Sequence, residues 1–552
     1  MSGDRMSGAP AGGDRAGAPA SPAPASPSAV SPLPDAAGSE SPAQVAPADA
    51  WLRLDRRRVL VSTVLGAGLA LGAGLPTALA MLGRVSGGWV FAVLFGWLVL
   101  PLGGGALAGY AGWRRTRYRI GPERAELHTG LLLVKRRSLA RERIRSVDLT
   151  ANPLLRILGL VRVRIGTGEH SGGESTLVLD PVGRAEGERL RRVLLARESA
   201  GPEGAHRTGE LAALDAGWIR YAPVSFVAPA LAGAAFGGLM QLSDWFGVQD
   251  EVVRWAGDRF QDTALGWIVL TVAALALVVG VVGALGLWVE MWWNYRLERE
   301  PGGTLRVRRG LFTARSLSIE ERRLRGVELV EPLGVRLCGA ARLDAIATGL
   351  ATGEDDEHAD HKTLLPPAPR AFASEVAARV LREPAAPTAT ALTAHPRAAR
   401  ARRLRWALLA ALVPVAVLTF LGVLLSPVLL YGAAGLAAVG VPLAVALALD
   451  AYRNLGHGLD GAYLVARSGT VRRTTVALQR GGVIGWTVKQ SLFQRRAGLL
   501  TLTATTAAGA GAYSVRDAAE AEALAFAAEA VPGLLEPFLI REPGPDGPAE
   551  TR

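Results

Sequence analysis

The sequence predicts a polytopic α-helical membrane protein that carries three small α+β domains on one side of the bilayer. Half of the 552 residues are hydrophobic and the mean hydropathy is +0.24, yet 20% are charged. Apolar and charged residues must therefore occupy separate blocks. The apolar blocks reach membrane-spanning length, and the stretch from Gly130 to Ile165 recurs twice further along the chain.

The repeat appears when the chain is shifted by 180 or by 339 positions. Identical residues then coincide in all three copies: Gly130/Gly310/Gly469, Arg156/Arg336/Arg495 and Gly159/Gly339/Gly498. A solenoid has periods of roughly 20–50 residues, so a period of this size indicates copies of a whole module.

The N-terminal residues 1–50 are mostly Ala, Pro, Ser and Gly, with too little apolar surface to offset the entropy of ordering. They are predicted to be a disordered tail. The first apolar segment begins near Val59, behind this tail, and is longer than the apolar region of a cleavable signal. It is therefore predicted to span the membrane.

Six apolar segments hold about 20–26 residues each, or about 30–39 Å as helix, which is enough to cross a bilayer. They lie at 59–82, 89–112, 219–242, 264–289, 406–426 and 428–449. Short connections within the first and third pairs predict helical hairpins. In the second pair, the connection 243–263 carries aromatic residues at helical spacing among acidic ones, which predicts a short surface helix; a plain acidic loop is the alternative.

Arginine placement sets the predicted orientation. Arginines cluster before the first and fifth segments and after the second, so both termini and the three repeated regions are expected in the cytoplasm. The net charge is +12, and nearly all basic residues are Arg. The accompanying Ala and Gly bias is typical of a GC-rich bacterial genome, so the charge does not indicate a nucleic-acid partner.

Each repeated region is predicted to be a β-domain closed by one helix. In the first, residues 117–140 alternate between apolar and polar, 161–167 and 175–180 bracket a Gly-rich turn, and Arg184 to Arg197 forms an amphipathic helix. Similar closing helices are predicted at 372–381 and 516–531.

The predicted organisation follows from these features. It comprises disordered tails at 1–50 and 541–552, transmembrane hairpins at 51–113, 218–293 and 403–450, β-domains at 114–200, 294–383 and 451–540, and linkers at 201–217 and 384–402.

The stretch Arg143 to Ile165, RIRSVDLTANPLLRILGLVRVRI, resembles the bacterial pleckstrin-homology (PH) domain, a group once catalogued as a domain of unknown function. Its pattern runs R-I-x-S-V, then P/S-L-x-x-R-x-x-G-L, then a strand, and Lys489 to Leu502 is similar to the second half. Two spans followed by one such domain, three times over, is similar to the YdbT-like membrane proteins. The resemblance implies that each β-domain is a seven-stranded bent β-sandwich with a C-terminal helix. In the third copy Gly482 to Trp486 replaces R-I-x-S-V, so the copies need not bind alike.

Catalytic motifs are missing from the sequence, which has no Walker A loop, HExxH or GxSxG, so no enzyme and no cofactor are expected. The acidic run Glu354 to His361 could hold a metal ion, but a solvated loop is favoured and no metal site is predicted. The single cysteine, Cys338, excludes an intramolecular disulfide and is expected to be a small core residue.

Ionisable residues in the spans occur only at their cytoplasmic ends, as Glu290 and Asp450. Pairing with Arg296 or Arg453 is favoured for them over a proton or cation site. Three glycine pairs have the GxxxG spacing that permits close helix packing: Gly68/Gly72, Gly105/Gly109 and Gly233/Gly237.

Basic residues that follow the membrane exits form the candidate site for lipid headgroups or an acidic partner, because each basic group near an anionic bilayer gains about 1 kcal/mol. They are Lys135, Arg136, Arg137, Arg141, Arg143 and Arg145 in the first region and Arg306, Arg308, Arg309, Arg315, Arg322, Arg323 and Arg325 in the second. A solvated basic strand face that binds nothing is the alternative.

The sequence therefore predicts a non-catalytic, membrane-anchored scaffold or accessory protein that presents three PH-like domains for protein or lipid-headgroup binding at the inner face of a bacterial cell membrane. The alternative is a six-span transporter or exporter component regulated by those domains, which requires a water-accessible cavity near the bilayer midplane. Membrane lipids are the expected ligands. The resemblance admits a smaller related PH-domain membrane protein, or further copies of this chain, as partners.

Overall fold

A computed structural model describes residues 51–81, 85–130, 134–144, 146–166, 176–195, 209–224, 227–245, 247–260, 264–349 and 362–538. The predicted tails at 1–50 and 541–552 lie outside the described residues.

The described chain contains three successive sections with a similar order of elements, each starting with a short strand ahead of a pair of long helices. The first section contains β1 (Leu52–Arg53), α1 (Arg58–Leu69), α2 (Leu75–Met81), α3 (Gly87–Arg115), β2 (Arg117–Ile120), β3 (Arg124–Thr129), β4 (Lys135–Ala140), β5 (Ser146–Ala151), α4 (Pro153–Ile157), β6 (Leu160–Gly166), β7 (Thr176–Gly183) and α5 (Arg184–Leu195).

The second and third sections repeat this order. The second contains β8 (Gly209–Ala213), α6 (Val227–Trp245), α7 (Gln249–Phe260), α8 (Leu265–Trp292), β9 (Arg296–Glu300), β10 (Thr304–Arg309), β11 (Ala314–Glu320), β12 (Leu324–Pro332), α9 (Leu333–Leu337), β13 (Ala340–Ala347), β14 (Thr363–Pro369) and α10 (Arg370–Leu381). The third contains β15 (Thr393–Ala394), α11 (Arg397–Leu424), α12 (Val428–Arg453), β16 (Gly456–Asp460), β17 (Tyr463–Ser468), β18 (Arg472–Gln479), β19 (Val483–Lys489), α13 (Leu492–Arg496), β20 (Leu499–Thr506), β21 (Ala512–Ala519) and α14 (Glu520–Ala530). The predicted closing helices are present as α5, α10 and α14, and the predicted short helix between the second pair of segments is α7.

Five helices among the described residues are long and apolar enough to cross a membrane. They are Arg58–Ala78, which includes a π-helical turn at Ala70–Gly74, Gly87–Arg115, Gly266–Trp292, Arg397–Leu424 and Val428–Arg453. Helix α6 is not among these five. It begins at Val227 rather than at the predicted 219, because Ala216–Tyr221 forms a 3-10 turn whose Trp218 and Tyr221 are buried.

Antiparallel strand pairing joins the sections into shared sheets. Strands β1 to β4 form a four-stranded sheet, and β19 to β21 form a three-stranded sheet. Between them lie two seven-stranded sheets, ordered β7-β6-β5-β11-β10-β9-β8 and β14-β13-β12-β18-β17-β16-β15. Each combines the last three strands of one section with the first four of the next. The β5–β11 contact is called the first seam below, and the β12–β18 contact the second seam.

Each section therefore supplies four strands to one sheet and three to another, which is consistent with PH-like domains. Two of these strands lie in stretches that were predicted to be linkers. Strand β8 lies within 201–217 and pairs with β9, and β15 lies within 384–402 and pairs with β16. Strand β15 has only two residues, and the sequence of β8, GELAA, does not alternate, so their pairing is visible only in the fold.

A turn glycine directly precedes the sixth strand of each section, and its backbone is left-handed. Its φ is 68° at Gly159, 69° at Gly339 and 60° at Gly498. Side chains with a Cβ rarely adopt this conformation, which explains why glycine recurs here. In the same part of the first section, Ile144 and Val147 are buried in the core.

One of the three GxxxG pairs forms a close helix contact. A Cβ added to Gly105 in α3 would lie 2.5 Å from the backbone oxygen of Ser62 in α1, and one added to Gly109 would overlap the Ser62 hydroxyl. At the other two pairs an added Cβ meets no atom within 4 Å. Close packing through GxxxG glycines is thus confirmed for Gly105 and Gly109 alone among these pairs.

Replacing Gly105 with Val is expected to destabilise the α1–α3 pair by about 1–3 kcal/mol, because the added methyl groups press on the backbone of α1. The measurement is the thermal unfolding midpoint of the detergent-solubilised protein. Gly104→Val is the matched control, since a Cβ at Gly104 meets nothing within 4 Å. Equal midpoints for the two variants would contradict the packing role of Gly105.

Candidate functional site: a basic pocket at the first seam

The first seam brings residues of two sections side by side. Ser146 of β5 faces Ile319 of β11, and Ala151 faces Ala314. Because β6 continues the sheet on one side and β10 on the other, side chains far apart in sequence share one surface. Basic residues of the second section that were predicted to form a site lie here, beside residues of the first section.

Four charged side chains link α5 to β9 and β10 across this seam. Arg306 donates to Glu188 at 2.7 Å and to Glu300 at 3.0 Å. Arg191 donates to the same two carboxylates at 3.1 and 2.7 Å. Burial opposes ionisation of the carboxyls, but the two guanidinium groups outweigh it and hold the pKa of Glu188 and of Glu300 below the usual value. The network holds α5 against the sheet of the next section.

A pocket of about 170 Å³ lies beside this network, between β5–β6 and β10–β11. Six arginines and one carboxylate contribute to its lining: Arg156, Arg184, Arg306, Arg308, Arg309, Arg315 and Glu188. Glu188 and Glu300 already match the charge of Arg306, whereas Arg156, Arg184 and Arg308 are exposed to solvent. The pocket therefore carries a strong excess of positive charge.

The pocket lies at the end of α8, one of the five candidate spans. The guanidinium of Arg309 lies over the ring of Trp292, 4.4 Å from its centroid. The N–H of Gly310 donates to the carbonyl of Trp293 at 2.9 Å. The basic lining is thus tied to the point where the chain leaves an apolar helix.

The two carboxylates at the ends of the spans make hydrogen bonds to the sheets. Glu290 accepts from the backbone N–H groups of Phe312 and Thr313, both at 2.8 Å. Asp450 accepts from Arg336 at 2.8 Å. The predicted pairing with Arg296 or Arg453 is therefore wrong. Glu290 binds backbone amides, and the arginine that binds Asp450 comes from the preceding section. Both contacts attach a β-turn or short helix to the end of an apolar helix.

Clustered guanidinium groups recognise phosphate and carboxylate oxygens, often with two parallel hydrogen bonds. The chemistry of the pocket is therefore that of an anion site. Within the described residues, no group of three or more His, Cys, Asp or Glu side chains is placed to hold a metal ion. The acidic run 354–361 lies outside those residues. Cys338, expected in the core, is exposed, because Val335 takes the buried position of helix α9.

The structure brings part of the predicted basic set together. Arg308 and Arg309 line the pocket, with Arg306 and Arg315 from the same group. Three others lie elsewhere. Arg323 pairs with Glu320 at 2.8 Å, Arg322 is exposed on the turn after β11, and the side chain of Arg325 lies beside Gly482 of the third section.

The basic residues of the first section are not part of this pocket. Lys135, Arg136 and Arg137 lie on β4, the outer strand of the four-stranded sheet. Arg141 donates to the carbonyl of Val193 in α5. Arg145 and the side chain of Arg143 lie outside the described part of the chain.

Two of the lining arginines were not among the predicted site residues. Arg156, on α4, donates to the carbonyl of Leu311 across the seam. Its recurrence as Arg336 and Arg495 was a signal that could have marked it as an inter-section contact. Arg184, at the start of α5, gives no comparable signal in the sequence.

Acid is expected to weaken the first seam. A carboxyl whose pKa is lower in the folded than in the unfolded chain stabilises the fold above its unfolded pKa, and this contribution is lost as the pH falls further. Amide hydrogen exchange in β5 and β11 should therefore accelerate, after correction for intrinsic rates, between about pH 6 and about pH 3.5. The double variant Glu188→Gln/Glu300→Gln should already show the weaker protection at pH 6. Identical protection in both proteins at both pH values would be inconsistent with this role.

Comparison with known proteins agrees with this architecture. The bacterial PH domain family matches residues 66–198 and 408–529, which cover elements of the first and third sections. The UPF0699 transmembrane protein YdbT of Bacillus subtilis (strain 168) is 23% identical over 320 residues, or 53% of this chain and 62% of the relative. The alignment thus spans less than two thirds of that relative, and no solved structure matches the chain. Two regions of the chain thus match the bacterial PH domain, and the chain is similar to the transmembrane protein YdbT.

Proposed function

We propose that the protein is a non-catalytic, membrane-anchored scaffold whose PH-like domains bind anionic phospholipid headgroups at the inner face of a bacterial cell membrane. The observation that carries this proposal is the arginine-rich pocket at the end of α8. A phosphate group with one negative charge would meet several guanidinium groups there, three of which are exposed.

The location of the pocket favours a lipid over a free ion. The end of a spanning helix lies at headgroup level, where tryptophan rings are enriched, and Trp292 and Trp293 occupy this end of α8. Basic groups near an anionic surface gain about 1 kcal/mol each. Arg308 and Arg309 are at the end of the short β9–β10 hairpin that follows α8, so they lie close to the headgroup layer.

The scaffold has six spans arranged as three hairpins, with the termini and all PH-like domains in the cytoplasm. Support for α6 as the sixth span comes from its packing against α8, where Gly280 allows close approach to the backbone of Ala228. Its 19 residues reach about 28 Å as helix. The middle section, outside both matched regions, repeats the element order of the other two.

A transport path has less support. A groove of about 650 Å³ runs between α11 and α12, and its walls within the helix pair are apolar, including Pro414, Leu443 and Gly440. Charged lining residues such as Arg402 and Asp517 are confined to its cytoplasmic end in the proposed orientation. Such walls suit hydrocarbon better than a polar solute. The scaffold is therefore preferred over the transporter alternative.

The test is a titration of the purified protein, in neutral detergent, with dioctanoyl phosphatidylglycerol followed by calorimetry. Arg308→Glu should weaken binding by roughly tenfold or more, because it removes one favourable charge worth about 1 kcal/mol and adds a repulsive one. Dioctanoyl phosphatidylcholine, which carries no net charge, serves as the lipid control.

Arg322→Glu is the matched protein control, since Arg322 is also exposed in the second section but does not line the pocket. It changes the net charge equally and should leave the affinity within about twofold of the unchanged protein, as expected of a screened surface charge. Equal losses in the two variants would show a diffuse charge effect and would refute headgroup binding in the pocket.

A further inference from the structure

Both seams follow one pairing rule. The fifth strand of a section pairs with the fourth strand of the next section, as β5 with β11 and β12 with β18. The register is the same in both: Ser146 faces Ile319, and Gly326 faces Leu478, which are equivalent positions under the offsets of the repeat. The seam is thus a recurring interface with a defined register.

Under this rule, one strand near each end of the described chain has no partner of this kind. Strand β19 is the third section's equivalent of β5 and β12, and it forms the edge of the last sheet. Strand β4 is the first section's equivalent of β11 and β18, and it forms the edge of the first sheet. An edge strand presents a row of backbone donors and acceptors that can pair with another strand. The two edges are complementary halves of the same seam.

The side chain of Val488 on β19 is more exposed than its equivalents inside the seams. Val488 is 45% exposed, whereas Leu149 and Leu329 at the equivalent positions are 6% and 1% exposed. In the adjoining helix α13, Leu492 is 78% and Phe493 is 63% exposed. Exposed apolar side chains therefore lie along the β19 edge and in the helix that follows it.

The short helix after each of these strands shows the same pattern. In α4, Arg156 donates across the first seam to the carbonyl of Leu311. In α9, Arg336 donates at 2.8 Å to Asp450 of the next section. The equivalent residue in α13 is Arg495, which is exposed. The arginine that contacts the next section at both seams is therefore also present in α13, which no further section follows within the described chain.

We propose that β19 of one molecule pairs antiparallel with β4 of a second copy of this chain, in the register of the two seams. This goes beyond the proposed lipid binding and does not depend on it. The pairing would place Gly485 opposite Leu139 and Lys489 opposite Lys135. A second copy is the occupant because β4 is the chain's own exposed equivalent of β11 and β18. The contact is head-to-tail, so each copy uses one edge of each kind.

The experiment is disulfide cross-linking of full-length protein in phosphatidylcholine vesicles, with Cys338 replaced by Ser. One tagged population carries Lys135→Cys and a second carries Lys489→Cys. Residues directly opposite in an antiparallel pair lie about 4.5–5.5 Å apart, within the reach of a disulfide. Mild oxidation of the mixed populations should give a dimer that contains both tags, and at least five times more of it than either population alone.

Thr150→Cys/Arg315→Cys within one chain is the reference, because these residues face each other at the equivalent positions of the first seam. It should form an intramolecular disulfide under the same conditions. Val488→Cys mixed with Lys135→Cys is the register control, since neighbouring residues of a strand point to opposite faces. That mixture should give at most background dimer.

A charge variant supplies a second measurement. Lys489→Glu replaces a like-charge pair with Lys135 by an opposite-charge pair, which favours cross-strand contact. It should raise the dimer fraction at fixed protein-to-lipid ratio severalfold, measured by single-molecule photobleaching. If the reference disulfide forms while the mixed populations and the charge variant show only background dimer, the pairing between copies is wrong. Trapping of β19 by a different protein in native membrane would also overturn the choice of a second copy.

Discussion

Strand pairing across the two seams is the interaction on which the rest of the structure depends. Backbone donors and acceptors at a sheet edge need partners, and an uncovered edge invites pairing with another chain. Here β5 is covered by β11 and β12 by β18, so each section completes the sheet of its neighbour. This is the geometry of β-strand addition, carried out within one chain. It joins neighbouring sections through shared sheets.

The basic pocket is a consequence of the first seam. Its arginines come from α4 and α5 of one section and from β10 and β11 of the next. Neither section alone contains the lining. Arg191 and Arg306 are balanced by Glu188 and Glu300, which stabilises the contact without cancelling the remaining positive charge. Arg191 and Arg306 thus hold the sections together, whereas Arg184 and Arg308 are exposed to an anion.

The helix ends couple the sheets to the apolar helices. Glu290 binds the amides of the β10–β11 turn, and Asp450 binds Arg336, which belongs to the section before it. A displacement of one helix pair would therefore also move residues that lie beside a seam. In this arrangement the charged residues at the ends of the spans are structural, which agrees with their absence from the interior of the apolar helices.

Local patterns in the sequence were sufficient for five of the six apolar segments, for strands of the first region and for the closing helices, because these depend on the periodicity of neighbouring residues. They were insufficient for β15, which has only two residues, for β8, whose sequence GELAA does not alternate, and for Cys338, whose exposure depends on the rotation of α9. Of the predicted basic residues, Arg308 and Arg309 reach the pocket, whereas Lys135 lies on another sheet.

By itself, then, the sequence determined the modules: apolar segments of spanning length, a threefold repeat, and β-domains closed by helices, with turn glycines such as Gly159. Only the tertiary structure decided which sheet edges meet, and so which arginines share a pocket and which edges remain at β4 and β19. The physical reason is that a strand's hydrogen bonds do not depend on the identity of its partner. The choice between partners is made by packing and charge across residues far apart in the chain.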